Sequence, residues 1–357
     1  MAKGNLNTSL GKAKEVKKAR KGSIKYLHKA KSEKNDEFYT ILADIERELS
    51  HYEKHFRNKV IFCNCDDPRE SNFVKFFSMN FERLGLKKLI ATHYKDVNLF
   101  TREPPYKLEY TGAKKGNRMP DPKDFMKAMI GTGDFRSAEC IALLKQADIV
   151  VTNPPFSLFR EYVAQLEEYG KKFLIVANWN TITCKEIFKL IKENRIWIGI
   201  NSNRNFSGFI VPKHYTLHGT EARIDENGNR IVSTNTTCWF TNLDIAKRHE
   251  DLPLGKKYSP AEYPEYDNYD AINVNKTNDI PKDYKGAMGV PITFLDKHNP
   301  AQFEILGSDF EVKDGLLPQI VKPKWKGKID RGYINGQRLY FRLLIRRKTP
   351  CKSNSKK

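Results

Sequence analysis

The sequence predicts an α/β protein with a doubly wound, largely parallel sheet, followed by an irregular or β-rich region. From about residue 40 to residue 200, short apolar runs alternate with segments of helical periodicity, which is typical of parallel sheets with crossover helices. After residue 200, Gly, Pro, Asn, Tyr and Thr dominate, and the strand-like runs become short. No internal repeat interrupts this two-part pattern.

Each predicted strand is a short apolar run of the kind that a parallel sheet buries on both faces, at residues 60–63, 89–91, 148–152, 172–177 and 196–200. Apolar residues at spacings of three and four predict helices over residues 41–56, 73–81, 138–146, 158–169 and 186–193. Residues 95–125 are rich in Pro, Gly and Lys and are expected to form an irregular insertion. The segment Asn227-Gly228-Asn229 predicts a hairpin turn.

Composition excludes several classes of protein. The chain has 357 residues, of which 39% are hydrophobic, so it can form a sizeable core and is not wholly disordered. We find no run of 18 apolar residues, so we expect no membrane span. The basic start of the sequence has no apolar segment behind it and does not resemble a secretory signal. The six scattered cysteines then indicate reduced thiols in a cytoplasmic protein.

The net charge of +20 favours a polyanionic partner, most simply a nucleic acid. A basic surface that only aids solubility is the alternative. The charge is concentrated at the ends: residues 1–34 hold eleven Lys or Arg. We therefore predict a basic N-terminal arm over residues 1–33 and a basic C-terminal tail over residues 346–357. Each of them either contacts phosphates or is a disordered tail.

The segment Asn153-Pro154-Pro155-Phe156 directly follows an apolar strand. Ligands of doubly wound sheets bind beyond the carboxyl ends of the strands, so this turn is expected at the mouth of a site. The Asn153 side-chain oxygen and the Pro154 carbonyl are acceptors, and proline lacks a backbone donor. Phe156 offers a face on which a planar base can stack. These features predict a site for the amino group of an extrahelical nucleobase; a Pro-Pro turn beside a buried Phe is the alternative.

The tetrapeptide resembles the catalytic motif of adenine-N6 methyltransferases that use S-adenosylmethionine. From about residue 25 to 347, the chain resembles the EcoRI-type adenine-specific DNA methyltransferase family. The stretches that carry this resemblance are residues 34–40, 63–69, 133–137, 150–159, 266–271 and 288–294. The resemblance implies a Rossmann-like S-adenosylmethionine-dependent catalytic domain over residues 34–200. It also implies a target-recognition region over residues 201–345.

The resemblance also implies roles for two groups of residues around the cofactor. Phe38, Tyr39 and Thr40 resemble the cofactor motif that precedes the first strand. Asp134 and Phe135 resemble the pair that bonds the cofactor's adenine amine and packs against its ring. From the residues alone, a helix N-cap at Thr40 and an ordinary Gly-Asp turn are the alternatives.

Asp66, Asp67 and Pro68 follow the first strand, where such enzymes hold the methionine part of the cofactor. Solvated loop acids are the alternative. Two departures from the family's pattern follow the first and the second strand. Residues 65–72 contain no glycine, although most methyltransferases have Gly-x-Gly here. Residues 92–94 read Thr-His-Tyr, where an acid for the ribose hydroxyls is expected.

We therefore expect a cytoplasmic, monomeric enzyme that flips an adenine out of double-stranded DNA and methylates it without a protein nucleophile or a metal. Such an enzyme serves restriction-modification or the protection of phage or host DNA. A cognate restriction endonuclease would belong to the same system without direct contact. An rRNA or protein-glutamine N-methyltransferase is the first alternative. A noncatalytic DNA-binding protein on a methyltransferase scaffold is the second.

Overall fold

The structure of the protein is a computed structural model that describes residues 38–95, 104–112, 122–201, 205–213, 222–233 and 235–348. The predicted arm over residues 1–33 and the last nine residues lie outside the described residues. Strands and helices are numbered along the chain.

The strands are β1 (Tyr39–Thr40), β2 (Val60–Asn64), β3 (Lys88–Thr92), β4 (Tyr106–Tyr110), β5 (Met126–Ala128), β6 (Ile149–Thr152), β7 (Lys172–Asn178), β8 (Trp197–Ile198), β9 (Phe209–Val211), β10 (Ala222–Ile224), β11 (Arg230–Val232), β12 (Thr237–Thr241), β13 (Ile272–Asn273), β14 (Met288–Val290), β15 (Phe303–Ser308), β16 (Tyr333–Ile334), β17 (Gln337–Arg338) and β18 (Leu343–Arg347). The α-helices are α1 (Leu42–Leu49), α2 (Glu53–Phe56), α3 (Asn72–Met79), α4 (Phe81–Leu84), α5 (Ala138–Gln146), α6 (Phe159–Glu168), α7 (Lys185–Lys192) and α8 (Asp309–Lys313).

An eight-stranded mixed sheet, in the order β5-β4-β3-β2-β6-β7-β12-β8, forms the centre of the molecule. Its central strands β3, β2, β6 and β7 are parallel. Every residue of β2 and β6 is buried, as their continuous apolar runs require. This sheet and its helices confirm the predicted mixed α/β class.

Helices cover both faces of the sheet. Successive residues of a strand point to opposite sides, so the continuous apolar runs make both faces of the sheet apolar. On β2, Val60 and Phe62 pack with α5, α6 and α7, whereas Ile61 and Cys63 pack with α1 and α3. The predicted helix over residues 41–56 is interrupted by a 3-10 turn at Ser50–Tyr52. Among the described residues, no helix has the length and apolar character needed to cross a bilayer.

The expected irregular insertion over residues 95–125 is wrong in part, because β4 lies within it and pairs antiparallel with β3. Tyr106, Leu108 and Tyr110 are buried, and they alternate with the half-buried Lys107 and Glu109. This period of two is a strand signal. The surrounding Pro, Gly and Lys residues obscured it in the sequence.

The sheet does not end at residue 200, the predicted limit of the catalytic domain. Strand β12 lies between β7 and β8 and pairs antiparallel with both. The predicted tail over residues 346–357 also begins inside β18, whose Arg346 and Arg347 pair with β15. The division of the chain into a catalytic part and a recognition part stays a prediction.

Three smaller sheets complete the described fold, and one of them is the two-stranded β16-β17 hairpin. Strands β1, β9, β11 and β10 form another, and β10 and β11 form the hairpin predicted around Gly228, whose φ is +77°. The third sheet has the order β13-β14-β18-β15. Its residues Ile272, Met288 and Leu343 share a hydrophobic cluster with α6 and α7, so this sheet packs on one face of the central one.

Candidate active site

The Asn-Pro-Pro-Phe turn lies at the carboxyl edge of the parallel strands, as predicted, because β6 ends at Thr152. Asn153 and Phe156 are half-buried, and Pro154 is buried. Phe156 begins a short 3-10 helix that leads into α6. The turn therefore holds its polar and aromatic groups where two parallel neighbours, β2 and β7, also end.

The amide of Asn153 has a fixed orientation. Its Nδ2 donates a hydrogen bond of 2.7 Å to the backbone carbonyl of Phe38. Its Oδ1 is buried and has no hydrogen-bond partner among the described residues. Buried polar atoms almost always have a partner, so this unpartnered oxygen makes Asn153 a candidate ligand-binding residue.

Three aromatic rings connect the first predicted cofactor residue with the turn. Strand β1 pairs antiparallel with β9, which places Thr40 opposite Phe209. The ring of Phe209, which is 1% exposed, contacts Phe38 edge to face at 5.9 Å and Phe156 at 6.0 Å. The sequence alone did not single out Phe209, because it lies in the region of short strands after residue 200.

Asp66 lies beneath the turn and is only 6% exposed. Its carboxylate accepts hydrogen bonds from the hydroxyls of Ser71, at 2.8 Å, and Thr152, and from the backbone N–H of Asn153. Burial raises the pKa of Asp66 to about 7. These three donors give the carboxylate a role in joining the loop after β2 to the turn after β6.

Asp67 is half-buried, whereas Pro68 is buried like Asp66. The Tyr106 hydroxyl donates a hydrogen bond of 2.5 Å to Asp67, and Nε2 of His93 lies 3.8 Å from the same carboxylate. Burial raises the pKa of Tyr106 and lowers that of His93. The guanidinium of Arg69 stacks 4.2 Å above the Tyr106 ring. Tyr106 and Arg69 were missed in the sequence, although the alternating pattern of β4 would have placed Tyr106 in a strand.

The loop that carries Asp134 contacts the end of β3. Gly133 has a φ of +76°, and a Cβ atom there would come within 2.0 Å of the His93 carbonyl oxygen. The backbone N–H of Lys95 donates to the Thr132 carbonyl at 2.9 Å. This close approach explains the glycine and brings Asp134 to the same edge of the sheet as the turn.

Asp134 and Phe135 differ in exposure. The guanidinium of Arg136 bonds the half-buried Asp134 carboxylate at 2.7 and 2.9 Å, and this lowers the pKa of Asp134. Phe135 is 3% exposed, and its ring packs edge to face on Tyr162 at 5.1 Å. Asp134 therefore reaches the surface of the site, whereas the ring of Phe135 lies in the core beneath it.

The α/β core and the acceptor-rich turn at its carboxyl edge are consistent with one class, the methyltransferases that act on planar amino groups. Comparison with known proteins narrows the class. The family described as adenine-specific methyltransferase EcoRI matches residues 26–348, and the chain belongs to that family. It is an adenine-specific DNA methyltransferase of the restriction-modification type.

Three curated relatives are similar over most of this chain. The Type II methyltransferase M.EcoRI of Escherichia coli is 54% identical over 339 residues, covering 92% of this chain and 98% of that protein. M.MpnI of Mycoplasma pneumoniae and M.MgeORF184P of Mycoplasma genitalium, both Type II methyltransferases, are each 37% identical over 90% of this chain and 98% of their own lengths. No solved structure matches the chain significantly.

Proposed function

We propose that the protein methylates N6 of an adenine that has been flipped out of duplex DNA, with S-adenosylmethionine as the methyl donor. The observation that carries this proposal is the amide of Asn153, whose N–H end is bonded while its buried oxygen has no partner among the described residues. This oxygen and the Pro154 carbonyl are the two acceptors for the hydrogens of the adenine amine. Holding both hydrogens draws the nitrogen lone pair out of conjugation with the ring and makes it available for attack.

Phe156 is the stacking surface for the flipped base. Its ring is half-buried, so one part of it is free to contact a ligand while Phe209 supports another part. Pro155 has a φ of −61°, which its ring restricts, so the turn keeps its shape when the base is absent. Most of the rate enhancement then comes from orientation and from preorganised hydrogen bonds.

The donors and acceptors along the edge of the sheet fit the cofactor. S-adenosylmethionine, when bound, supplies a methyl group on a positively charged sulfur. The half-buried carboxylates of Asp67 and Asp134 fit its amino groups, and Nδ1 of His93 is a buried atom without a partner among the described residues. We assign cofactor binding to the residues predicted from the sequence: Phe38, Tyr39, Thr40, Asp66, Asp67, Pro68, Asp134 and Phe135. Of these, Asp66 and Phe135 are buried and support the site from beneath.

We further propose that the parallel strands and their helices form a Rossmann-like catalytic domain, and that base reading belongs to the region after residue 200. On this proposal β12 is a strand of the catalytic sheet that follows a recognition segment. The net charge of +20 supports double-stranded DNA as the partner. We expect a cytoplasmic monomer that acts without contact to a cognate endonuclease.

The experiment is to incubate the protein with labelled S-adenosylmethionine and genomic DNA and to map N6-methyladenine by sequencing. Methylation of one adenine within a recurring sequence is the expected result. Label that is transferred to RNA or to glutamine side chains, with none on DNA, would contradict the proposal. Cofactor binding without any transfer would favour a noncatalytic DNA-binding protein.

A further inference from the structure

Residues 322–328, Lys-Pro-Lys-Trp-Lys-Gly-Lys, place a lysine at every second position around one tryptophan. We call this segment the lysine loop. It connects the core of the β13-β14-β18-β15 sheet with the small β16-β17 hairpin, and it contains none of the residues assigned to the proposed site. Alternating lysines with an aromatic residue are a common composition for nucleic-acid contacts, and a solvated loop is the plain alternative.

The lysine loop is folded around the ring of Trp325. The Trp325 backbone N–H donates to the Lys322 carbonyl at 3.0 Å, and its indole Nε1 donates to the Lys328 carbonyl at 3.0 Å. The ring also packs on Tyr333 at 5.5 Å. A Cβ atom at Gly327 would lie 2.6 Å from the indole, so the chain passes too close to the ring for a larger residue. These contacts fix the backbone from which the lysine side chains extend.

One of the four lysines, the half-buried Lys322, bonds neighbouring groups, and the other three do not pair with a described acidic residue. Nζ of Lys322 donates to the Tyr266 carbonyl at 2.7 Å and lies 3.3 Å from the carboxylate of Glu265. In contrast, the remaining lysines are exposed and form no ion pair with any residue that the structure describes: Lys324, Lys326 and Lys328. Ammonium groups on alternate residues of one short loop repel one another, and an anionic partner relieves that repulsion.

The start of this segment can be located relative to the catalytic turn. Helix α7 follows β7, so its first residue, Lys185, lies near the carboxyl edge of the sheet, where Asn153 also lies. Nζ of Lys185 is 2.8 Å from the carboxylate of Asp314, at the end of α8. The chain therefore leaves α8 near this edge, and the lysine loop begins eight residues later, on the side of the β13-β14-β18-β15 sheet that carries Tyr266.

We infer that the lysine loop binds the phosphate backbone of duplex DNA. The inference rests on the proposed function only in taking DNA as the substrate. A preordered backbone lowers the entropic cost of placing three cations along the strand. Phosphate contacts orient a protein on DNA without reading its sequence, so the loop contributes affinity and position but no sequence specificity.

The test measures how the dissociation constant for a short fluorescent duplex depends on salt between about 50 and 200 mM. The variant replaces Lys324, Lys326 and Lys328 with glutamine. We expect the slope of log affinity against log salt to become shallower by about 0.9 for each lost contact, up to about 2.7 for three. The loss of affinity should be the same for duplexes of unrelated sequence.

A matched control replaces three exposed lysines at the opposite edge of the sheet, which precede β2, β3 and β6: Lys59, Lys87 and Lys145. It removes the same net charge and should retain most of the wild-type slope. A second variant, Trp325→Ala, keeps every charge but removes the ring that orders the loop, and its affinity should fall between those of the wild type and the triple variant.

Equal slopes for the triple variant and its control would overturn the inference, because the effect would then follow net charge alone. A changed methylation site in the triple variant would also overturn it, since the loop would then read bases. The Asn153→Ala variant separates this inference from the proposed function. It removes the proposed catalytic acceptor and should keep the wild-type salt slope, so each proposal can fail without the other.

Discussion

The side-chain amide of Asn153 donates a hydrogen bond to the backbone carbonyl of Phe38, a residue 115 positions earlier in the chain. An asparagine side chain can point either its N–H or its oxygen toward a neighbour. A carbonyl accepts only the N–H, so this single contact turns the amide oxygen away from Phe38 and leaves it without a partner among the described residues. Phe38, the residue before β1, therefore orients the proposed catalytic group.

Replacement of Asn153 by alanine should lower turnover by on the order of 10²-fold or more, because one preorganised acceptor for the adenine amine is lost. Cofactor affinity should change little, since the side chain faces the base in this proposal. Single-turnover methylation with labelled cofactor, together with calorimetric titration of the cofactor, measures both quantities. Near-normal methylation by the variant would rule out the catalytic assignment.

Replacement of Asp134 by alanine should weaken cofactor binding by about 1–3 kcal/mol, the range for a lost hydrogen bond to a charged group. Arg136 loses one partner in this variant but keeps its contact of 3.0 Å with Glu161. DNA binding in the absence of cofactor should persist. If the titration curves of variant and wild type coincide, Asp134 does not contact the cofactor.

Replacement of Gly133 by alanine should destabilise the loop between β5 and α5. The residue has a positive φ, and the new Cβ would meet the His93 carbonyl at 2.0 Å. We expect a loss of about 1–3 kcal/mol in the free energy of unfolding, together with weaker cofactor binding. Gly131→Ala is the matched control, because nothing lies within 4 Å of its Cβ position. Urea unfolding of the two variants should differ clearly, and equal stabilities would contradict the close contact.

The buried carboxylate of Asp66 should make stability depend on pH. Its pKa rises from 3.8 to about 7 on folding, so between pH 4 and 7 the folded protein retains a proton that the unfolded chain has lost. Raising the pH through this window therefore lowers the free energy of unfolding, and the penalty is complete above pH 7. Asp66→Asn cannot ionise and should remove this component.

The measurement is urea unfolding of wild type and Asp66→Asn across this pH range. The difference in stability between the two should change with pH from 4 to 7 and become constant above pH 7. A difference that is the same at every pH would mean that Asp66 titrates normally in the folded protein. Asp309, far from the turn in sequence, is a second buried carboxylate whose pKa burial also raises to about 7. Asp309→Asn is therefore a second test variant.

Local patterns predicted much of the parallel core, because continuous apolar runs and helical spacing are properties of neighbouring residues. The position of β12 was missed since it depends on pairing across the sheet. Its apolar residues Cys238, Trp239 and Phe240 are visible in the sequence, but nothing nearby indicates that β7 and β8 are their partners. The same reasoning applies to the site, where the turn at Asn153 was evident and the support from Phe209 was not.

Strand β12 also has a consequence for synthesis on the ribosome. Strand β8 is paired only through β12 within the described sheet, and the open side of β7 is covered only by β12. A nascent chain that has emerged only as far as residue 200 thus exposes an apolar, unpaired strand edge, which is a template for aggregation. The sheet that carries the proposed catalytic turn can close only after Thr241 has left the exit tunnel. Premature termination anywhere between these two points should give an insoluble fragment, even though every residue of the Asn-Pro-Pro-Phe turn has already been made.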